Sequence, residues 1–130
     1  MNSVHTLVLS IRFPERSASQ NVVNSMGRRE RMRWKKRWRD DTALLCLQRR
    51  GWAKATEKRF VRVTRYTTSG GGLDFENFTG GCKPIFDGLV SCGALVDDSL
   101  KWCDPEYAQA FSGNGTFVEV FEIGGDDELP

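Results

Sequence analysis

Apolar and polar residues alternate from His5 to Phe13, with Leu7, Leu9, Ile11 and Phe13 on one side and Thr6, Ser10 and Arg12 on the other. A period of two over that length predicts a half-buried strand, closed by Pro14. The polar, Ser- and Asn-rich stretch Glu15–Gly27 reads as a loop. From Arg28 to Arg50 there is neither Pro nor Gly, and Gly51 supplies a stop, so one long helix is predicted. Its first half is mostly charge, interrupted by Met32, Trp34 and Trp38; its second half carries Leu44, Leu45 and Leu47. Thr56–Thr68, rich in Val, Thr, Arg and aromatics, predicts a second strand, after which Gly70-Gly71-Gly72 breaks the chain.

Beyond the Gly80-Gly81 pair, Ile85, Phe86, Leu89 and Val90 recur at helical spacing. Pro84 suits the first turn of that helix and Gly93 its C-terminal cap. Ser99–Cys103 reads as a short strand. Gly115–Ile123 is a clearer one, apolar on both faces as a central strand requires. The elements sum to a single domain over residues 1–123, an α/β or α+β fold with two main helices on a small mixed sheet, followed by an acidic, frayed tail at 124–130.

Composition narrows the class. The chain has 130 residues, 39% hydrophobic and 28% charged, which excludes a disordered tail or a fibre. No apolar run approaches the ~20 residues of a membrane span. The His5–Ile11 run is too short for a signal peptide and lacks a basic flank and a cleavage site. A cytoplasmic protein is therefore expected, with Cys46, Cys82, Cys92 and Cys103 as reduced, mostly buried thiols. Those cysteines form no CxxC pair and the one histidine is His5, which argues against structural zinc.

The net charge of +2 conceals an asymmetry. Residues 1–65 hold 17 Lys/Arg against 5 Asp/Glu, and residues 66–130 hold 2 against 12. The positive excess concentrates at Arg28, Arg29, Arg31, Arg33, Lys35, Lys36, Arg37 and Arg39. Trp34 and Trp38 are four apart and share a helix face, so they can anchor the helix to a core while the cations stay outside. Solvation alone is a poor account of so dense a run, because self-repulsion is relieved only by a polyanion or an acidic partner. Arginine over lysine favours phosphate. Arg62 and Arg65 on the second strand are weaker candidates for the same role.

The acidic half places Asp74 and Glu76 one residue apart, on one side of an extended segment. Asp97-Asp98 follows the second helix, and Lys83 and Asp87 lie one turn apart on it. Carboxylates of this kind suit Mg²⁺, which takes a few protein oxygens plus water and substrate phosphate. The plainer reading is that acids at turns are solvated and that Lys83–Asp87 is a surface ion pair of little energy.

Taken in order, Leu73-Asp74-Phe75-Glu76-Asn77-Phe78, Lys83-Pro84-Ile85-Phe86-Asp87-Gly88-Leu89 and Gly93-Ala94-Leu95-Val96-Asp97-Asp98 resemble the core signature of the RusA-like family. These are endodeoxyribonucleases that resolve Holliday junctions, commonly carried by phages and prophages. The resemblance implies a Mg²⁺-dependent enzyme, with Mn²⁺ as a substitute, whose ion is held by Asp74, Glu76 and Asp98. It implies that Lys83 assists at the scissile phosphate and that Asn77, Asp87 and Asp97 support the site. It also implies a homodimer that cuts branched DNA by paired nicks, without a nucleotide cofactor or a membrane. The chain departs from the family pattern in having Glu76 where Asp is usual, Leu73 where the founding member has arginine, and a longer interval between Asn77 and Lys83. Two alternatives are a non-catalytic nucleic-acid-binding module that uses helix 28–39, and a protein-interaction module that meets an acidic partner.

Overall fold

The computed structural model describes residues 5–68 and 71–124. The element order is β1 (Thr6–Phe13), α1 (Gln20–Ser25), α2 (Arg28–Leu47), β2 (Arg59–Tyr66), α3 (Phe75–Gly81), α4 (Lys83–Ser91), β3 (Cys103–Ala110) and β4 (Gly115–Glu122). The strands form one sheet in the order β1-β4-β2-β3. β4 pairs antiparallel with both β1 and β2, whereas β2 and β3 run parallel. A parallel pair needs a long crossover, and α3 and α4 supply it. The fold is α+β with a mixed sheet, as the pattern of periods predicts.

Alternation decides which side of the sheet becomes the core. Leu9, Ile11 and Phe13 of β1, Val61 and Val63 of β2, and Val118 and Val120 of β4 are all buried and lie in register across the sheet. Against them pack Trp38 and Cys46 of α2, Phe78 of α3, and Ile85, Phe86 and Leu89 of α4. Trp38 is 3% exposed, its ring 4.6 Å from that of Phe13, while Trp34 is half-buried beside it. The two tryptophans thus do anchor the charged helix. All four cysteines are buried free thiols.

The structure corrects several expected elements. Segment 15–27 is not all loop: α1 forms within it, the Ser19 hydroxyl accepting from the Val22 amide at its N-cap. Asp74 and Glu76 do not lie on an extended segment, since Asp74 caps α3 and Glu76 sits in its first turn. Ser99–Cys103 is a turn whose last residue opens β3, a strand that the apolar pattern does not predict. β3 is tolerable with Pro105 because it is an edge strand, paired to β2 alone. β1 carries a register shift between Leu7 and Leu9 that turns Leu7 outward, 52% exposed. Among the described residues no helix is long and apolar enough to cross a membrane. Residues 125–130 of the expected acidic tail lie outside the described residues.

Candidate functional site: a basic groove beside a lysine–carboxylate cluster

α2 and α4 cross closely, and one glycine permits it. A Cβ at Gly88 would stand 2.5 Å from the Arg39 carbonyl oxygen and 2.6 Å from Thr42 Cβ. Thr42 is fully buried at this crossing, its hydroxyl donating to the Trp38 carbonyl at 2.7 Å. α4 buries Ile85, Phe86 and Leu89, which leaves Lys83 exposed and Asp87 at the boundary, on the side that borders α2. Met32, Arg33, Lys35, Lys36 and Arg39 of α2, together with Asp87, line a groove of about 520 Å³. The basic run and the acidic motif, 48 residues apart between Arg39 and Asp87, therefore meet on one surface.

Several cations of α2 have no carboxylate partner among the described residues. Lys36 and Arg39 both pair with Asp40, at 2.5 and 3.2 Å, and Arg37 pairs with Glu15 at 2.9 Å. Arg31 donates to the Met26 carbonyl. Arg28, Arg29, Arg33 and Lys35 are exposed and make no ion pair among the described residues. Arg62 is engaged elsewhere: it pairs with Glu106 and Glu119 and lies over the Phe60 and Phe121 rings.

At the α4 end of the groove, Lys83 Nζ lies 2.8 Å from Asp87 Oδ1 and also donates to Asp98 Oδ2. These hydrogen bonds, that to Asp87 first, hold the Lys83 pKa above the ordinary lysine value. Lys83 is thus held charged, by one acid from its own helix and one from the loop that follows. Asp97 is exposed.

The other two proposed ligands sit in different surroundings. Asp74 Oδ1 accepts from the Asn77 amide at 2.9 Å, and its Oδ2 accepts from Asn77 Nδ2 at 3.1 Å. Asn77 Oδ1 in turn accepts from the Asn21 amide, tying α3 to the start of α1. Glu76 is exposed, with no side-chain partner among the described residues. Among those residues no group of three or more His, Cys, Asp or Glu side chains is placed to hold a metal ion, so Asp74, Glu76 and Asp98 do not form one. The donor set that does converge is Asp87 with Asp98, around the Lys83 ammonium. Both carboxylates are engaged by the Lys83 ammonium, whose charge opposes a metal ion at the same point.

By sequence Asp87 ranks behind Asp98; geometry puts it at the junction of cluster and groove. No sequence signal marks Gly88 as the point of helix contact beyond its place in the Asp87-Gly88-Leu89 motif. Compared with known proteins, the chain matches no family model and no curated protein.

Proposed function

We propose that this chain is an endodeoxyribonuclease that acts on branched DNA in the cytoplasm. The observation that carries this reading is the shared lining of the groove, where four cations of α2 meet Asp87 of the Lys83–Asp87–Asp98 cluster. In this reading Arg28, Arg29, Arg33 and Lys35 hold the DNA backbone, for which they have no competing carboxylate among the described residues. Such contacts position a duplex without reading its bases, so preference for a branch comes from shape.

Lys83 faces the scissile phosphate and counters the charge that grows there as water adds to phosphorus and the ester P–O bond breaks. Asp87 and Asp98 keep Lys83 protonated and aimed. Mg²⁺, with Mn²⁺ as a substitute, is the proposed cofactor, whose chemistry would be to polarise the phosphate and acidify a bound water; Asp98 would hold it only by giving up its bond to Lys83, which Asp87 alone would then keep in place. Asp74 acts here through α3, whose first turn it caps. A four-way junction is resolved by two nicks, so the proposed working form is a homodimer.

A synthetic four-way junction and a linear duplex of matched sequence, each incubated with the protein and Mg²⁺, test the proposal. Preferential, paired cutting of the junction is expected. Equal cutting of both would leave a general nuclease, and binding with no cutting of either would leave a nucleic-acid-binding module.

A further inference from the structure

β2 carries three arginines, and the structure treats them unequally. Arg59 is 4% exposed, but its guanidinium donates to the Ala94 and Ala53 carbonyls and lies 3.6 Å from Glu122. Arg62 has Glu106 and Glu119. Arg65, 8% exposed on the same inward face as Val61 and Val63, has no carboxylate among the described residues. Its one hydrogen bond among those residues runs from Nε to the Ser17 carbonyl at 3.0 Å. The Arg65 terminal amino groups make no hydrogen bond to a described residue and are not among the fully buried unpartnered atoms, so they reach the surface carrying a charge that no carboxylate among those residues answers.

The surroundings deepen the imbalance. Arg16 reaches the same place, its Nη1 donating to Thr67 Oγ1 at 2.8 Å. Burial first, and then the charge of Arg16, hold the Arg65 pKa below the ordinary arginine value. Ser17 is 1% exposed, and among the described residues its hydroxyl has no hydrogen-bond partner beyond a weak approach to the Cys82 thiol. That thiol supplies no counter-charge, because burial pushes its pKa up to about 12. The backbone beside it is fixed: a Cβ at Gly81 would overlap the Ala18 carbonyl oxygen, so Ala18 and Ser19 press directly on the junction between α3 and α4.

We propose that Arg65, Ser17 and Arg16 form a phosphate seat, in which the terminal amino groups of Arg65 and the Ser17 hydroxyl bind the oxygens of a phosphate ester. Arg16 adds charge at its rim. A tetrahedral anion supplies a negative charge for Arg65, which has no carboxylate among the described residues, and a strong acceptor for the buried Ser17 hydroxyl. The seat is separate from the groove on α2 and does not depend on the nuclease reading. Its phosphate is either a backbone phosphate of a nucleic acid or that of a free nucleotide, since both present the same group.

Inorganic phosphate, titrated into the full chain at constant ionic strength against chloride, is the first probe, followed by amide NMR. Saturable shifts are expected at residues 16–18, 65–67 and 82. Ser17→Asp places a carboxylate beside Arg65. It should weaken phosphate binding about tenfold or more and raise the melting temperature in phosphate-free buffer. Arg65→Gln should weaken binding likewise, and if it does not fold, Ser17→Asp decides alone. A short single-stranded oligonucleotide that displaces the phosphate assigns the seat to a strand, whereas tighter binding of a nucleoside monophosphate that the oligonucleotide cannot displace assigns it to a free ester. Shifts confined to residues 28–39, or unchanged phosphate affinity in Ser17→Asp, would overturn the seat even if junction cleavage is observed.

Discussion

Gly88→Ala probes the contact that brings groove and cluster together. The added methyl carbon would lie 2.6 Å from Thr42 Cβ and 2.5 Å from the Arg39 carbonyl oxygen. Carbon pairs prefer roughly 3.5–4.0 Å, so α2 and α4 must part by about 1 Å. Neither obstacle is a flexible side-chain end: one is backbone, and the other is the Cβ of a buried threonine fixed by its bond to Trp38. Overpacking of this kind costs about 1–3 kcal/mol. Replacing glycine by alanine inside a helix returns about 1 kcal/mol of propensity. The two terms leave a destabilisation of roughly 0–2 kcal/mol, and because both contacts are with fixed atoms the upper half of that range is expected: at about 4 °C per kcal/mol for a domain of this size the melting temperature should fall roughly 4–8 °C. Thermal unfolding by circular dichroism measures it, with Ser91→Ala on the exposed end of α4 as a comparison that gains propensity without a clash. DNA affinity should fall as well, although no charge has been removed, because the groove widens. A variant as stable as the parent, or more stable by the propensity gain, would refute the close crossing and with it the joining of Arg39 to Asp87.

Further expectations can be checked with the same protein. Replacing Arg29, Arg33 and Lys35 by glutamine should weaken DNA binding and flatten the dependence of log affinity on log salt by roughly 0.9 for each phosphate no longer neutralised; anisotropy titrations over a range of NaCl would contradict the role of α2 if the slope stayed the same. Asp74→Ala removes the α3 N-cap and should cost about 1 kcal/mol in urea unfolding, whereas Asp74→Asn, itself a good cap, should keep stability. Full nuclease activity in Asp74→Asn is expected from the capping role, and its loss at unchanged stability would instead place Asp74 at the reacting centre. Because the Lys83 pKa is raised by Asp87 and Asp98, the stability it contributes is fully present below the ordinary lysine value of about 10.4 and is lost as pH rises through the higher folded value. The stability gap between the parent and Lys83→Met should therefore stay level from pH 7 to about 10 and shrink above that, and a gap that already shrinks at pH 8 would contradict the pairing.

The parts of the fold legible in the sequence are those whose own pattern determines them. β1 and β4 announce themselves by alternation and apolar density, α2 by length and its stop at Gly51, where φ is +85°. α4 shows a periodic apolar face and a proline start. The short helices α1 and α3 are not legible in this way, because a helix of one or two turns is held by caps and neighbours rather than by its own propensity. Ser19 and Asp74 are such caps, and Asp74 reads equally well as a ligand when its chain is taken to be extended. β3 hides behind Asp104, Pro105 and Glu106, poor strand formers that an edge position admits. The candidate site is legible in its members but not in its grouping. The cations of α2 and the motif around Lys83 stand out in the sequence, yet their meeting depends on a crossing at Gly88 that no periodicity encodes. Arg65 stands out in the sequence only as a weak phosphate candidate beside Arg62, and its pairing with Ser17 gives no signal until the partners of the strand's arginines are seen.

If the Lys83–Asp87–Asp98 cluster cuts DNA that the neighbouring helix holds, cutting and holding must be separable. Single-turnover cleavage of a four-way junction by the parent and by Asp98→Asn, with junction affinity measured on the same samples, separates them. Asp98→Asn should bind the junction as the parent does but cut it at least about a hundredfold more slowly, and EDTA should abolish cutting by the parent. Undiminished cleavage by Asp98→Asn would contradict the proposed role of the cluster.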